Sequence, residues 1–492
     1  MANENQKDQL HVFFFPFLGH GHMILTVDMA QLFASRGVRA TIITTPLNLP
    51  LISRSLQEST ALGLAINLVA IKFPYAEAGL PEGCENADSI SSQDMFQIFI
   101  KATTMLQEPL EQLLQEHRPD CLIAGWLYPW ATDSAAKFGI PRIVFHGTGF
   151  FPLCVGESIA LHQPYKDVVS DTDPFVIPNL PGIEIQMTRM VLPPYLVTDE
   201  DTSIAKVFKA AAQSEVTRFG VVVNSFYELE GIYADHYKKV LRRRAWSIGP
   251  VSLCNRDSKE KSYRGKRASI DAHDCSKWLD SKKPNSVVYI CFGSSTDFTE
   301  HQLRGIAMGL EACGQNFIWV VRERKKNEEE RGARGQDQGQ GWLPEGFEKR
   351  MEGKCLIIRG WAPQVLILEH ESVGGFVTHC GWNSILEGVS AGVPMVTWPV
   401  FAEQFYNEKL VTQVLRIGVS VGTKKWVPVV GDYVEKKAIM KAVKEIMEGE
   451  EAEEMRNRAK KLARMAREAV EEGGSSYSDF NSLIEELKGL SN

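Results

Sequence analysis

HVFFFPFLGHGHMILTVDMAQLFASRGVRATIITT, residues 11–45, holds one complete strand–helix–strand unit. His11–Pro16 and Arg39–Thr45 are short apolar runs without strict alternation, as expected of strands buried on both faces. Between them Met23, Val27, Ala30 and Ala34 recur at helical spacing, and Gly37 stands where a C-terminal cap belongs. Two strands joined through a helix in this way imply a parallel sheet.

The same grammar continues outward. Leu64–Ile71, Cys121–Ala124, Arg142–Phe145 and Gly220–Asn224 read as further strands of a first sheet. After Ile248-Gly249-Pro250 the composition shifts: Asn255–Arg267 carries six basic residues with almost nothing to bury and reads as a linker. A second series follows, with strands expected at Val287–Phe292, Phe317–Val321, Cys355–Ile358, Gly375–Thr378, Met395–Trp398 and Val419–Val421. The expected fold is α/β, two doubly wound halves. Glu323–Gly341, charged and rich in Gly and Gln, reads as a solvated surface loop. The last helix follows Gly473-Gly474-Ser475-Ser476, and its narrow apolar face of Phe480, Leu483, Ile484 and Leu487 must pack on something already built.

Composition removes several function classes. With 492 residues, 44% hydrophobic and 23% charged, the chain is ordinary globular protein and long enough for two to four domains. A formal charge of −7 gives no electrostatic reason to expect nucleic acid as a partner. Nine scattered cysteines without a Cys-x-x-Cys pattern argue against a disulfide framework or structural zinc. Met1–Gln9 is polar where a secretory signal needs an apolar core, and no run reaches the roughly 18 apolar residues of a membrane span. The expected compartment is cytoplasmic, with no integral membrane association.

Two stretches carry chemistry. Gly19-His20-Gly21-His22 lies at the carboxyl end of the first strand, where parallel sheets bind ligands. Ile24 stands where the dinucleotide fingerprint needs its third glycine, and no Asp, Glu or Cys joins the histidines locally at metal-ligand spacing. A neutral imidazole here suits a general base acting on a substrate hydroxyl, and an ordinary loop histidine is the competing reading. The second stretch is WAPQVLILEHESVGGFVTHCGWNSILEGVSAGVPMVTWPVFAEQ, residues 361–404. Its strand Gly375–Thr378 delivers His379, Gly381, Asn383 and Ser384 to a turn opening a helix, a cradle for a diphosphate. Trp361 offers a flat face for a base, Glu387 an acceptor for ribose hydroxyls, and Glu403 and Gln404 a carboxylate and an amide for a sugar.

This 44-residue stretch resembles the signature box of plant UDP-sugar-dependent glycosyltransferases, and the similarity extends over nearly the whole chain. HVFFFPF, PWATDSAAKFGIPR, VVNSFYELE, the FGSS turn and GGSSYSDFNSLIEEL look most like the branch acting on triterpenoids, steroids and flavonoids. The resemblance implies the GT-B fold, two facing Rossmann-like domains, with a C-terminal helix crossing back to the N-terminal domain. It divides the chain into an acceptor-binding domain at 1–250, a linker at 251–273, a UDP-sugar-binding domain at 274–472 and the crossing helix at 473–492. UDP-sugar is then a co-substrate, no separate cofactor or metal is called for, and the partners are that donor and a hydrophobic small acceptor, on a monomer. Carried over by position, the resemblance assigns Trp361 and the Ala362 backbone to uracil, and Gln364 and Glu387 to the ribose. It puts Ser294, His379, Asn383 and Ser384 at the diphosphate, Gly381 and Trp382 as shapers of that turn, and Glu403 and Gln404 at the sugar hydroxyls, a pair associated with glucose. His22 matches the catalytic base, His20 a variable position, and Thr148 the place where the pocket nears sugar and base.

Two departures stand out. Leu25 replaces the usual proline at the helix start. More consequentially, the pattern that should carry the aspartate supporting the base reads Ile123-Ala124-Gly125-Trp126, so Gly125 supplies no carboxylate, and Asp120, Asp133 or His20 would have to be rearranged toward His22. The leading expectation is an inverting transferase of glucose, the sugar associated with that terminal pair, acting on a hydroxyl of a hydrophobic plant metabolite. The alternatives are a UDP-sugar-binding protein of impaired catalysis, a transferase to carbon or nitrogen, and an oxidoreductase on the same fold. The acceptor pocket is expected around Phe15–Leu18, Ser89–Phe96, Phe150–Leu153 and Met187–Tyr195, all rich in apolar or aromatic residues.

Overall fold

The computed structural model describes residues 9–90, 92–197, 203–322 and 341–491. The chain start Met1–Asp8 and nearly all of the Glu323–Gly341 stretch lie outside the described residues.

The strands are β1 (His11–Phe15), β2 (Arg39–Thr44), β3 (Ile66–Ala70), β4 (Cys121–Gly125), β5 (Arg142–Phe145), β6 (Pro174–Val176), β7 (Gln186–Thr188), β8 (Gly220–Val223), β9 (Ala245–Ser247), β10 (Val287–Cys291), β11 (Asn316–Val321), β12 (Cys355–Arg359), β13 (Val373–Thr378), β14 (Met395–Thr397) and β15 (Gly418–Ser420). A seven-stranded sheet runs β3-β2-β1-β4-β5-β8-β9 and a six-stranded sheet β12-β11-β10-β13-β14-β15, with every pairing parallel. In both, strand order reverses beside the first strand, which opens a crevice at the carboxyl edge. All twelve expected strands form; the short strand β9 and the antiparallel hairpin β6-β7 were not expected.

Burial explains the unbroken apolar runs. Val12 and Phe14 of β1 face one cluster with Ile42 and Phe33, while Phe13 and Phe15 face another with Phe99, Leu106 and Tyr128. The final helix, Ser475–Ser491, puts Phe480, Leu483, Ile484 and Leu487 into the first of these clusters, so it crosses back to the N-terminal half. There the Phe480 ring meets Phe33 edge-on at 4.7 Å. A third cluster runs between the halves, joining Phe150 and Phe151 to Trp382, Ile385 and Leu386.

One expectation needs correction. Asn255–Arg267 is not a stretch with nothing to bury: it contains the helix Ser258–Tyr263, and Asn255 and the Arg264 side chain are enclosed. Charge pairing inside the protein, invisible in a list of basic residues, accounts for the difference.

Candidate active site between the two halves

From β1 the chain passes through Phe17–Gly19 directly into the helix His20–Ala34, which places both histidines in its first turn at the crevice. His22 is half-buried, and its backbone N–H donates to Gly19 O at 3.1 Å. Its ring lies under Gly147, in the turn after β5. Gly147 has φ +76°, and a Cβ there would stand 2.9 Å from Cε1 and 3.0 Å from Nδ1 of the imidazole, so glycine is required twice over. The Phe17 ring closes the other side edge-on at 5.5 Å. Enclosed in this way, His22 Nδ1 has no hydrogen-bond partner among the described residues. Burial pushes the His22 pKa down to about 4; the Asp88 charge opposes that fall and His146 adds to it.

Gly125, the last residue of β4, lies against Phe17: a Cβ at 125 would come 2.9 Å from Phe17 N and 3.3 Å from Phe17 Cβ. Backbone occupies the space into which a side chain would first extend. The rearranged carboxylates named from the sequence are engaged elsewhere. Asp120 accepts the His11 N–H at 2.7 Å, at the opposite end of the strands, and Asp133 acts on the buried Arg142. His20 is turned to Asp88, which receives its Nδ1 and, at 2.8 Å, its backbone N–H.

Asp88 is the residue that sequence reasoning missed. It sits in the short turn Ala87–Ser89, and its Oδ1 accepts Ser294 Oγ at 2.7 Å and Ser295 Oγ at 2.8 Å from the turn after β10. Arg322 Nη2 donates to its carbonyl at 2.7 Å. Burial alone would raise its pKa, but His20 and Ser294 hold it well below the usual carboxylate range. No local signal could have found it, since its partners lie 68, 206 and 207 positions away. His146 was also missed: its Nε2 is 2.6 Å from Glu215 Oε1, and Trp126 stacks on it with centroids 5.9 Å apart. Burial works to raise the Glu215 pKa, yet His146, Arg218 and Arg243 hold it at about 2. Next to it Thr148 Oγ1 is enclosed with no partner among the described residues.

Across the crevice, His379 follows β13 directly and is clasped by glycines: a Cβ at Gly293 or Gly381 would stand 2.7 Å or 2.5 Å from its ring. Burial lowers its pKa to about 4, and its Nδ1 has no partner among the described residues. Gly381 caps the helix Trp382–Ala391, on whose buried face lie Ser384 and Glu387. Gln364 Nε2 donates to Ser384 Oγ at 3.2 Å and to Glu387 Oε2 at 2.7 Å. Trp382, 2% exposed, donates from Nε1 to Asn224 O at 2.7 Å, and Asn383 Nδ2 to Gly21 O at 2.9 Å, so both reach the first half. Trp361 is half-buried after β12 with its centroid 6.1 Å from that of His20, and Ala362 beside it is buried. In the turn after β14, burial raises the Glu403 pKa, while Gln404 Oε1 accepts the N–H groups of Val400 at 2.8 Å and Phe401 at 3.0 Å.

The expected donor and base residues lie at or after the carboxyl ends of β1, β4, β5, β10, β12, β13 and β14; Ser294, Trp382 and Asn383 make contacts across the crevice, and Asp120 lies at the opposite strand end. The apolar segments expected to form the acceptor pocket divide: Phe96, Leu153 and Tyr195 are half-buried, whereas Phe150, Phe151 and Met187 are core. No group of three or more His, Cys, Asp or Glu side chains among the described residues is placed to hold a metal ion. No helix among them is long and apolar enough to cross a membrane.

Two facing parallel sheets with this crevice between them define the GT-B class of glycosyltransferase fold. The family model described as "UDP-glucoronosyl and UDP-glucosyl transferase" matches residues 235–464. Over 483 residues the chain is 58% identical to the scopoletin glucosyltransferase of Nicotiana tabacum, covering 98% of this chain and 99% of that one. It is 56% identical over 500 residues to the UDP-glucose flavonoid 3-O-glucosyltransferase 7 of Fragaria ananassa, covering 100% and 99%. The crystal structure of Glycyrrhiza uralensis UGT73P12 with glycyrrhetinic acid 3-O-monoglucuronide superposes with a TM-score of 0.89 at 41% identity, covering 98% of this chain and 96% of that one. The protein belongs to the plant UDP-glycosyltransferases and is an enzyme that uses a UDP-sugar donor and a small-molecule acceptor.

Proposed function

We propose that the protein transfers glucose from UDP-glucose to a phenolic hydroxyl of a hydrophobic plant metabolite, with inversion at the anomeric carbon. His22 Nε2 takes the hydroxyl proton; the oxygen attacks the anomeric carbon in line as the bond to the β-phosphate oxygen breaks and UDP leaves. The observation that carries this reading is the meeting of the two halves at the end of β1: the helix that begins there carries His22 in its first turn, and Asn383, from the start of the helix after β13, donates to Gly21 O in that same turn at 2.9 Å. In this reading Trp361 and Ala362 take the uracil, Gln364 and Glu387 the ribose, and Ser294, His379, Asn383 and Ser384 the departing diphosphate, whose growing charge they stabilise. Glu403 and the Gln404 amide nitrogen take the sugar hydroxyls, the Gln404 oxygen being committed to the Val400–Phe401 turn.

The weak base supports a phenol over an aliphatic alcohol. An imidazole with its pKa near 4 and no carboxylate at residue 125 gains little from accepting a proton, which suits a hydroxyl acidic enough to need little help. The names of the relatives, for scopoletin and for flavonoid 3-O transfer, support the same choice. A second reading, a UDP-sugar-binding protein of impaired catalysis, draws on that same missing carboxylate. A mass-spectrometric screen of phenols and aliphatic alcohols with UDP-glucose and its common alternatives separates them. Transfer to phenols that falls about 10²-fold to 10⁴-fold in His22→Ala, with UDP affinity unchanged, is the expected result. UDP binding without transfer to any acceptor would favour the second reading.

A further inference from the structure

The segment joining the halves is built into the crevice. Asp257 and Glu260 form a reciprocal capping box at the start of the helix Ser258–Tyr263. On the first half, Lys259 pairs with Glu58 at 2.6 Å and Ser55 Oγ donates to Tyr263 O at 3.0 Å. On the second, Lys261 pairs with Glu369 at 2.7 Å, and the Ser269 N–H donates to Trp361 O at 2.8 Å. Between these anchors the chain turns at Gly265, φ +82°, so close to the Trp361 indole that a Cβ would stand 2.5 Å from Cζ2.

Arg264 precedes that turn with its side chain 9% exposed. Its Nε donates to Asp28 Oδ2 at 2.9 Å, on the helix that carries His22, and its Nη1 donates to Glu387 Oε1. Its Nη2 is enclosed and has no hydrogen-bond partner among the described residues. A guanidinium keeps its charge and presents its donors in a rigid fork, so two carboxylates fix where the third arm points. An unpaired arm of a buried cation is costly, and the residue that carries it stands between Glu387, to which its Nη1 donates, and Gly265, which packs against the Trp361 indole.

We propose that Arg264 is a donor-pocket residue: its Nη2 hydrogen-bonds the nucleotide of the UDP-sugar, and the Asp28–Arg264–Glu387 bridge holds the two halves in register around it. This rests on reading Glu387 as the ribose residue. The guanidinium also brings positive charge to a crevice that must accept a diphosphate and already holds the Asp88, Asp28 and Glu387 carboxyl groups. Because Asp28 and the capped helix fix the segment from outside the nucleotide's place, the arginine stays where it is when the nucleotide binds.

The test uses the full chain and titrates UDP calorimetrically into the wild type, Arg264→Lys and Asp28→Asn, with kinetics on a common phenol. Lysine keeps the charge but cannot span both carboxylates and reach a third acceptor. The expected result is a Kd for UDP and a KM for UDP-glucose about tenfold higher in Arg264→Lys, with kcat and the acceptor KM within about twofold, as loss of one charge-assisted donor predicts. Asp28→Asn, which leaves the guanidinium in place but loosens its anchor, weakens UDP in the same direction and decides the matter should the lysine variant not fold. Unchanged or tighter UDP binding in the variants, the latter marking Arg264 as a plug, overturns the proposal while the donor reading stands. No UDP binding by the wild type overturns both.

Discussion

At residue 125 backbone stands where a side chain would extend. The sequence locates the gap in the pattern Ile123-Ala124-Gly125-Trp126, but not that Phe17 N lies 2.9 Å from where a Cβ would be. A carboxylate restored there must therefore displace Phe17, which also packs edge-on against His22. Gly125→Ala is expected to cost about 1–3 kcal/mol of stability, as overpacking does, read by chemical unfolding. Gly125→Asp should cost as much and in addition move the acidic limb of kcat/KM to higher pH, because a nearby negative charge favours imidazolium at His22. An equal movement of the limb in the alanine variant would trace it to Phe17 instead. In the wild type the limb is expected below pH 6, given a His22 pKa near 4.

The elements carry a second titrating device. Glu230, in the VVNSFYELE stretch, caps the helix Phe150–His162: it accepts the Phe151 N–H at 2.7 Å and the Phe150 N–H at 3.1 Å, together with the Ser225 hydroxyl. Burial drives its pKa up to about 7 in spite of these bonds. A carboxyl whose folded pKa exceeds its unfolded value of about 4.3 binds more protons in the folded state, so its contribution to stability is lost as pH rises through 7. Glu230→Gln should consequently gain on the wild type as pH increases from 5.5 to 8.5, by up to about 2 kcal/mol, the part of the shift that lies above pH 5.5. Thermal unfolding across that range checks it, and a difference that does not vary with pH would place the ionisation elsewhere. Sequence pattern marks the helix start, but not the acid 80 positions away that caps it.

For the whole molecule the titrating groups compete. His11, His22 and His379 all have pKa values near 4, chiefly through burial, so between about 4 and 6.5 the unfolded chain binds more protons and stability falls as pH falls. Glu230 and Glu408, both near 7, act in the opposite sense between about 4.5 and 7. Burial raises Asp28 and Glu403 in that same sense. Removing one of these carboxyls predicts a melting temperature that declines more steeply, or rises less, from pH 6.5 to 4.5 in Glu230→Gln than in the wild type; equal slopes in the two would refute it. The sequence by itself determined the two doubly wound halves and the narrow apolar face of the last helix, because strands buried on both faces and helices buried on one leave their record in consecutive residues. It could not determine which polar groups meet. Ser294 with Asp88, Arg264 with Glu387 and Asn383 with Gly21 are 206, 123 and 362 positions apart, and only the packing of one half on the other brings each pair within hydrogen-bonding distance.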